Sequence, residues 1–180
     1  MTILPRHSRP YEPSSSREAR LDFAVKAMEA VYQIPAEPSE EWKKKFFWTA
    51  VWLVSERDGK YSPRYRSRAA LDSDEKFVQH EHIFPIKDLW LLRTVRSLEA
   101  TLNFAEGCLV TKEEHQRLSA EDRRIDRPYG WMRYLSARIE VVDMSTSQSV
   151  TPAEMSERTA LFAKAMWQTR FHGDGKEEWE

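Results

Sequence analysis

Three of the five histidines, His80, His82 and His115, lie within one stretch of 36 residues, and Glu81 sits between the first two. An imidazole and a carboxylate can hold a divalent ion, and a neutral imidazole beside them can take a proton from water. Side chains alternate along a strand, so His80 and His82 share one face and Glu81 takes the other, until Pro85 turns the chain. His115 falls in the first turn of a helix that follows a short strand directly. A strand, a second strand and a helix would therefore bring the two histidine-bearing segments together.

The elements that must do this positioning read as follows. Residues 76–84 are a strand ending before Pro85, residues 108–110 a brief second strand, and Thr111 with Glu114 a capping box that launches the helix of His115 and Leu118. Between the strands, residues 86–104 form one helix or two short ones. Upstream, Ser15, Ser16, Arg17 and Glu18 read as a capping box, with Leu21, Val25, Met28 and Tyr32 at helical spacing and Pro35 as the stop. A second helix spans 40–57, capped by Ser39 and ended near Gly59. Its Trp42, Phe46, Thr49, Ala50 and Leu53 form a stripe, widened by Phe47, Trp48, Trp52 and Val54, that reads as core. Residues 58–74 read as a loop with a cationic, aromatic face: Arg64, Arg66 and Arg68 among Tyr61 and Tyr65. Residues 130–135 are a further helical turn and 139–142 a strand. Thr151, Pro152 and Glu154 cap a closing helix that reaches about Arg170. The divisions are an N-terminal arm (1–14), a helical region with the basic loop (15–74), the histidine-bearing unit (75–118), a C-terminal helical region (119–172) and an acidic tail (173–180).

Composition bounds the rest. With 180 residues, 41% hydrophobic, and seven Trp, eight Phe and six Tyr, one domain with a substantial core is expected, mostly helical in class α+β. A net charge of −1 neither announces nor excludes a nucleic-acid partner, because a local basic surface suffices. Cys108 is the single cysteine, which excludes an internal disulfide and a multi-cysteine zinc centre; it reads as a packing residue. The first residues lack a basic segment followed by an apolar run, and no 18-residue apolar run exists. The expectation is a cytoplasmic protein with no membrane partner.

The run Glu81-His82-Ile83-Phe84-Pro85 resembles the first motif of the HNH (ββα-metal, His-Me finger) nucleases, commonly Asp-His-Ile-x-Pro. The run from Glu106 to His115 is similar to their second half, where a short strand leads into a helix bearing the last histidine. The resemblance covers residues 75–118. It implies an embedded ββα-metal unit and an HNH-like endonuclease hydrolysing phosphodiester bonds. It makes His82 the general base, and Glu81 and His115 the ligands of one divalent cation (Mg, Mn or Zn). Two departures stand out. The family's middle Asn slot holds Glu106, with Asn103 three residues upstream as the candidate for that role. The paired zinc cysteines are absent, with Thr111 and Glu114 in their places.

Other readings of the same residues stay open. His80 is an extra ligand, an outer partner of the site, or a surface residue. His80, His82 and His115 together would match a three-histidine zinc hydrolase with one open position. A non-catalytic module of the same shape, binding nucleic acid or protein, is the third. The expected partner is nucleic acid, DNA ahead of RNA, with Arg64, Arg66 and Arg68 as the strand-binding set. Arg93, Arg96, Arg123, Arg124 and Arg127 are further cations. A protein partner, or a homodimer through the aromatic second helix, is compatible with the sequence.

Overall fold

A computed structural model of the chain describes residues 5–33, 39–93 and 97–167. Pro35, Arg96, the end of the last helix near Arg170 and the acidic tail 173–180 lie outside them. The order of elements is α1 (Arg17–Tyr32), α2 (Glu40–Ser55), β1 (Tyr65–Ser67), α3 (Arg68–Leu71), β2 (Val78–His82), α4 (Ile86–Arg93), α5 (Leu98–Leu102), β3 (Gly107–Thr111), α6 (Lys112–Glu121), α7 (Met132–Ser136), β4 (Val141–Asp143), β5 (Gln148–Ser149) and α8 (Pro152–Trp167). The class is α+β and mostly helical.

The strands form one sheet in the order β2-β3-β1-β4-β5, with β2 at an edge. β2 and β3 pair antiparallel, His82 opposite Gly107 and Glu81 opposite Cys108. β1 runs parallel to β3 and antiparallel to β4. Helix α6 starts where β3 ends, so a hairpin of distant strands followed at once by a helix is present. The capping box is formed in both directions: Glu114 N donates to Thr111 Oγ1 at 3.1 Å, and Thr111 N donates to Glu114 Oε2 at 2.8 Å. The same reciprocal pattern starts α8, through Thr151 and Glu154.

Several elements differ from the sequence expectation. Residues 58–74 are not a loop: Tyr65–Ser67 is a strand in the sheet interior and Arg68–Leu71 a helical turn. Three residues are too few to show a period. No capping box opens α1; Ser16 takes the cap position, but its hydroxyl bonds Ser14 Oγ at 2.9 Å and caps no helix N–H, and its own N–H donates to the same Ser14 Oγ at 3.3 Å. The expected stripe on α2 is rotated. Phe47, Ala50, Val51 and Val54 are buried, at positions i, i+3, i+4 and i+7, whereas Trp42, Phe46, Trp48 and Trp52 are 56%, 45%, 52% and 38% exposed. This line, with Phe47 as its one ring, meets Ala24 and Met28 of α1 in one core, and Trp42, Phe46, Trp48 and Trp52 are left largely outside.

The described part of the N-terminal segment lies against the sheet. His7 is fully buried and its Nε2 contacts the Ser73 carbonyl at 2.6 Å. On the far side of the core, Tyr65 packs edge-to-face on Trp131 at 4.8 Å and Phe84 stacks on Phe162 at 4.2 Å. No helix among the described residues is long and apolar enough to cross a membrane.

Candidate active site

The edge strand β2 alternates regularly from Val78 through His82, and the alternation ends at the bend of Ile83 and Phe84, both buried, just before Pro85. Its odd and even side chains consequently serve two separate environments on opposite faces of the sheet.

On the α6 side, Glu81 meets His115, a residue 34 positions away. His115 Nδ1 lies 2.8 Å from Glu81 Oε2. The other carboxylate oxygen, Oε1, accepts from Arg133 Nη2 at 3.0 Å. The same Nη2 donates to Asp122 Oδ2 at 2.8 Å, and Arg133 Nη1 donates to the carbonyls of His82 (3.2 Å) and Ile83 (3.4 Å). Arg133 is buried, so its charge is compensated within the protein by two carboxylates. Burial works against ionisation of Glu81, but the His115 hydrogen bond and the Arg133 charge outweigh it and hold the carboxyl below its usual range. The bond to Glu81 likewise raises the His115 pKa against the effect of partial burial. His115 keeps 40% of its side chain exposed, so the pair sits at the protein surface.

On the α2 side, His82 and His80 are buried, 5.5 Å apart between ring centres. His82 Nε2 lies 3.1 Å from Ser55 Oγ, and the Trp52 ring meets the His82 imidazole edge-on at 4.4 Å. Burial, followed by the neighbouring His80, pushes the His82 pKa down to about 3; burial pushes His80 down to about 4. Neither His80 nitrogen completes a hydrogen bond of regular geometry among the described residues, although the Lys60 backbone approaches. The His80 ring fills the space above Gly107, where an added Cβ would stand 2.1 Å from it, so no larger residue fits opposite His82.

The expected site is thus divided. Glu81 and His115 come together; His82, expected as the base, and His80, expected as a further ligand, face the other way. Three histidines do not converge, and no set of three or more metal-binding side chains forms among the described residues. Asn103 closes α5 as its exposed C-terminal cap, and no side-chain hydrogen bond ties it to Glu81, His82 or His115 among the described residues. The Glu106 carboxyl is raised by burial, against the pull of Arg158, Arg57 and Arg64.

Two of the three arginines of the expected strand-binding set are held by internal partners. Arg64 grips Asp143 in a fork, Nε to Oδ1 at 2.9 Å and Nη2 to Oδ2 at 2.6 Å. Arg66 is fully buried and donates to the carbonyls of Pro63, His7 and Arg9. This is a correction: Arg66 pins the N-terminal segment and offers nothing to a ligand. Arg68 is exposed and paired with Glu140 at 3.2 Å. Arg133 and Asp122 were not singled out by sequence, because neither sits in a motif and a helical Arg reads as surface.

A divalent ion was tested against the donor set. Two donors each about 2.1 Å from one ion, at a right angle, stand about 3.0 Å apart. In the structure Glu81 Oε2 and His115 Nδ1, 2.8 Å apart, are spent on a hydrogen bond to each other, so a shared ion would have to displace the proton between them. An ion held by these two protein donors would keep most of its ligands as water, whereas a closed tetrahedral zinc centre needs four protein donors. Comparison of the chain with protein-family models, with curated proteins and with solved structures gives no match.

Proposed function

We propose that the chain hydrolyses nucleic-acid phosphodiester bonds with one divalent ion held by Glu81 and His115, in the manner of the HNH-like nucleases. One observation carries this: two residues 34 positions apart, on a strand and on the helix that follows its partner strand, meet at 2.8 Å at the surface. Arg133 keeps Glu81 ionised and fixes one of its oxygens, which leaves the other aimed at His115. Asp122 holds Arg133 from the far side, so the carboxylate is braced through a buried cation. A hydrated divalent ion supplies charge neutralisation at the phosphate and an acidified water. His82 acts in this proposal as a positioning residue: its carbonyl accepts from Arg133, and its ring anchors the strand against Ser55 and Trp52.

The test is cleavage of single-stranded DNA, plasmid and structured RNA with Mg, Mn or EDTA. Metal-dependent cutting should fall at least about 100-fold in Glu81→Ala and His115→Ala, in line with loss of an electrostatic stabiliser of the transition state. Cutting that survives both substitutions refutes the assignment.

A second reading is favoured by the division of the site. A non-catalytic nucleic-acid-binding module of the same shape accounts for His82 lying across the sheet and for a guanidinium bonded to Glu81. Wild-type protein that binds nucleic acid and cuts none of the three substrates supports it.

A further inference from the structure

A groove of about 630 Å³ opens between α2, α4 and the end of α6, lined among others by Lys44, Trp48, Lys87, Trp90, Asp122 and Arg127. Its link to the Glu81–His115 pair runs through Arg133, whose Nη2 donates both to the Asp122 carboxylate of the lining and to Glu81. Each carboxylate in its lining is paired with an arginine. Asp122 is bonded to Arg133, and Asp88 accepts from Arg127 at 2.8 Å. Lys44 and Lys87 have no ion pair among the described residues, so the groove carries an excess of positive charge. Lys44 stands 5.9 Å over the Trp90 ring, which itself packs edge-on against Phe47, so that wall is rigid. Trp48 leaves 52% of its surface outside the core. A rigid aromatic wall, a half-exposed indole and two uncompensated ammonium groups are what an unstacked base and its flanking phosphates require.

Resting on the hydrolase reading for its substrate, we propose that this groove holds a single nucleic-acid strand, one base stacked on Trp48 and phosphates on Lys44 and Lys87. Bases inside a duplex are stacked on each other and present no face to an indole, so the groove discriminates for strands, loops and ends. The strand then runs past Asp122 towards Glu81 and His115.

Binding is measured in EDTA, where no metal-dependent cutting occurs, by anisotropy of a labelled oligothymidylate, a hairpin duplex of equal length and, separately, sedimentation with phosphatidylserine vesicles. The oligothymidylate should bind at least about tenfold tighter than the duplex, and Trp48→Ala should lose about tenfold, the effect of removing one stacking platform. Trp48→Phe should retain most of the affinity, and circular dichroism of each variant excludes misfolding as the cause. Lys44→Ala with Lys87→Ala should lower the slope of log affinity against log salt by about 1.4, for two phosphates on a single strand. Equal or tighter duplex binding, unchanged affinity in Trp48→Ala, or binding to vesicles alone overturns the proposal. The two readings fail separately: strand binding as described without any cutting in Mg or Mn removes the hydrolase only, and cutting indifferent to Trp48→Ala removes the groove only.

Discussion

Arg133 joins Glu81 to Asp122 through a single nitrogen, Nη2, at 3.0 Å and 2.8 Å, while its other nitrogen, Nη1, donates to the main chain of β2's last residue and of Ile83. A cation in this place fixes both the charge state and the direction of the Glu81 carboxylate.

Removing it should therefore be severe. Arg133→Ala leaves Asp122 without a counter-charge, Glu81 with His115 alone and two carbonyls without this donor, and should cost about 3–5 kcal/mol in urea unfolding. Arg133→Met, which refills the volume, should recover little of that while Glu81 stays ionised. Adding Glu81→Gln to Arg133→Met should restore part of the loss. A double variant no more stable than the single would show that the charge imbalance is not the cause.

The Glu81–His115 pair makes a bell-shaped contribution to stability in metal-free protein. His115 is raised above 6.5 in the folded state, so its contribution is full below that value and fades as pH climbs through the folded pKa. Glu81 is lowered below 4.5, so its contribution is full above that value and fades as pH falls through the folded pKa. Proton NMR titration of the His115 ring should return a pKa above 6.5, and Glu81→Gln should bring it back to the ordinary range. An unshifted His115 in the wild type would mean the contact is not populated.

The histidines across the sheet have the opposite sign. His80 and His82 are held neutral at about 4 and about 3, while the unfolded chain takes up protons from 6.5 downwards. Their contribution is complete above 6.5 and lost steadily on acidification towards 4. Urea midpoints should fall between pH 7 and pH 4.5, and the fall should be shallower in His80→Gln. A pH slope identical in wild type and variant would place the acid lability elsewhere.

Gly107 and His80 should be energetically coupled. A methyl group at position 107 would stand 2.1 Å from the imidazole, so Gly107→Ala should destabilise by about 1–3 kcal/mol through overpacking. With His80→Ala in the same chain the clash is gone, and the double-mutant cycle should return a coupling of about 0.5–3 kcal/mol. Additive effects would mean that the ring moves aside freely.

The legible parts of this molecule are those in which local chemistry and tertiary packing agree. Thr111 and Glu114 satisfy helix ends wherever they occur, so their box could be read directly, and alternation in β2 assigned Glu81 and the histidines to opposite faces. What could not be read depends on partners remote in sequence. Arg66 looks like any surface arginine until the carbonyls of His7 and Arg9 are brought to it. Trp42 and Phe46 outweigh Val51 in any hydrophobic count, yet the narrow line that fits α1 is the one that is buried. The alternation does end ahead of Pro85, at Ile83 and Phe84, but His82 is still inside the regular strand and so stays on the face of His80.

The cap of α6 has a consequence for how the molecule opens. Glu114 Oε2 accepts from Thr111 within the cap and also from the hydroxyl of Ser67, on the interior strand β1. The first turn of the helix that carries His115 and the middle of the sheet thus share one acceptor. The two should exchange their amide protons with solvent as one unit, on the slow timescale of the core, while an ordinary surface helix would fray from its ends. The His115 side of the pair is consequently built on one of the least mobile parts of the chain.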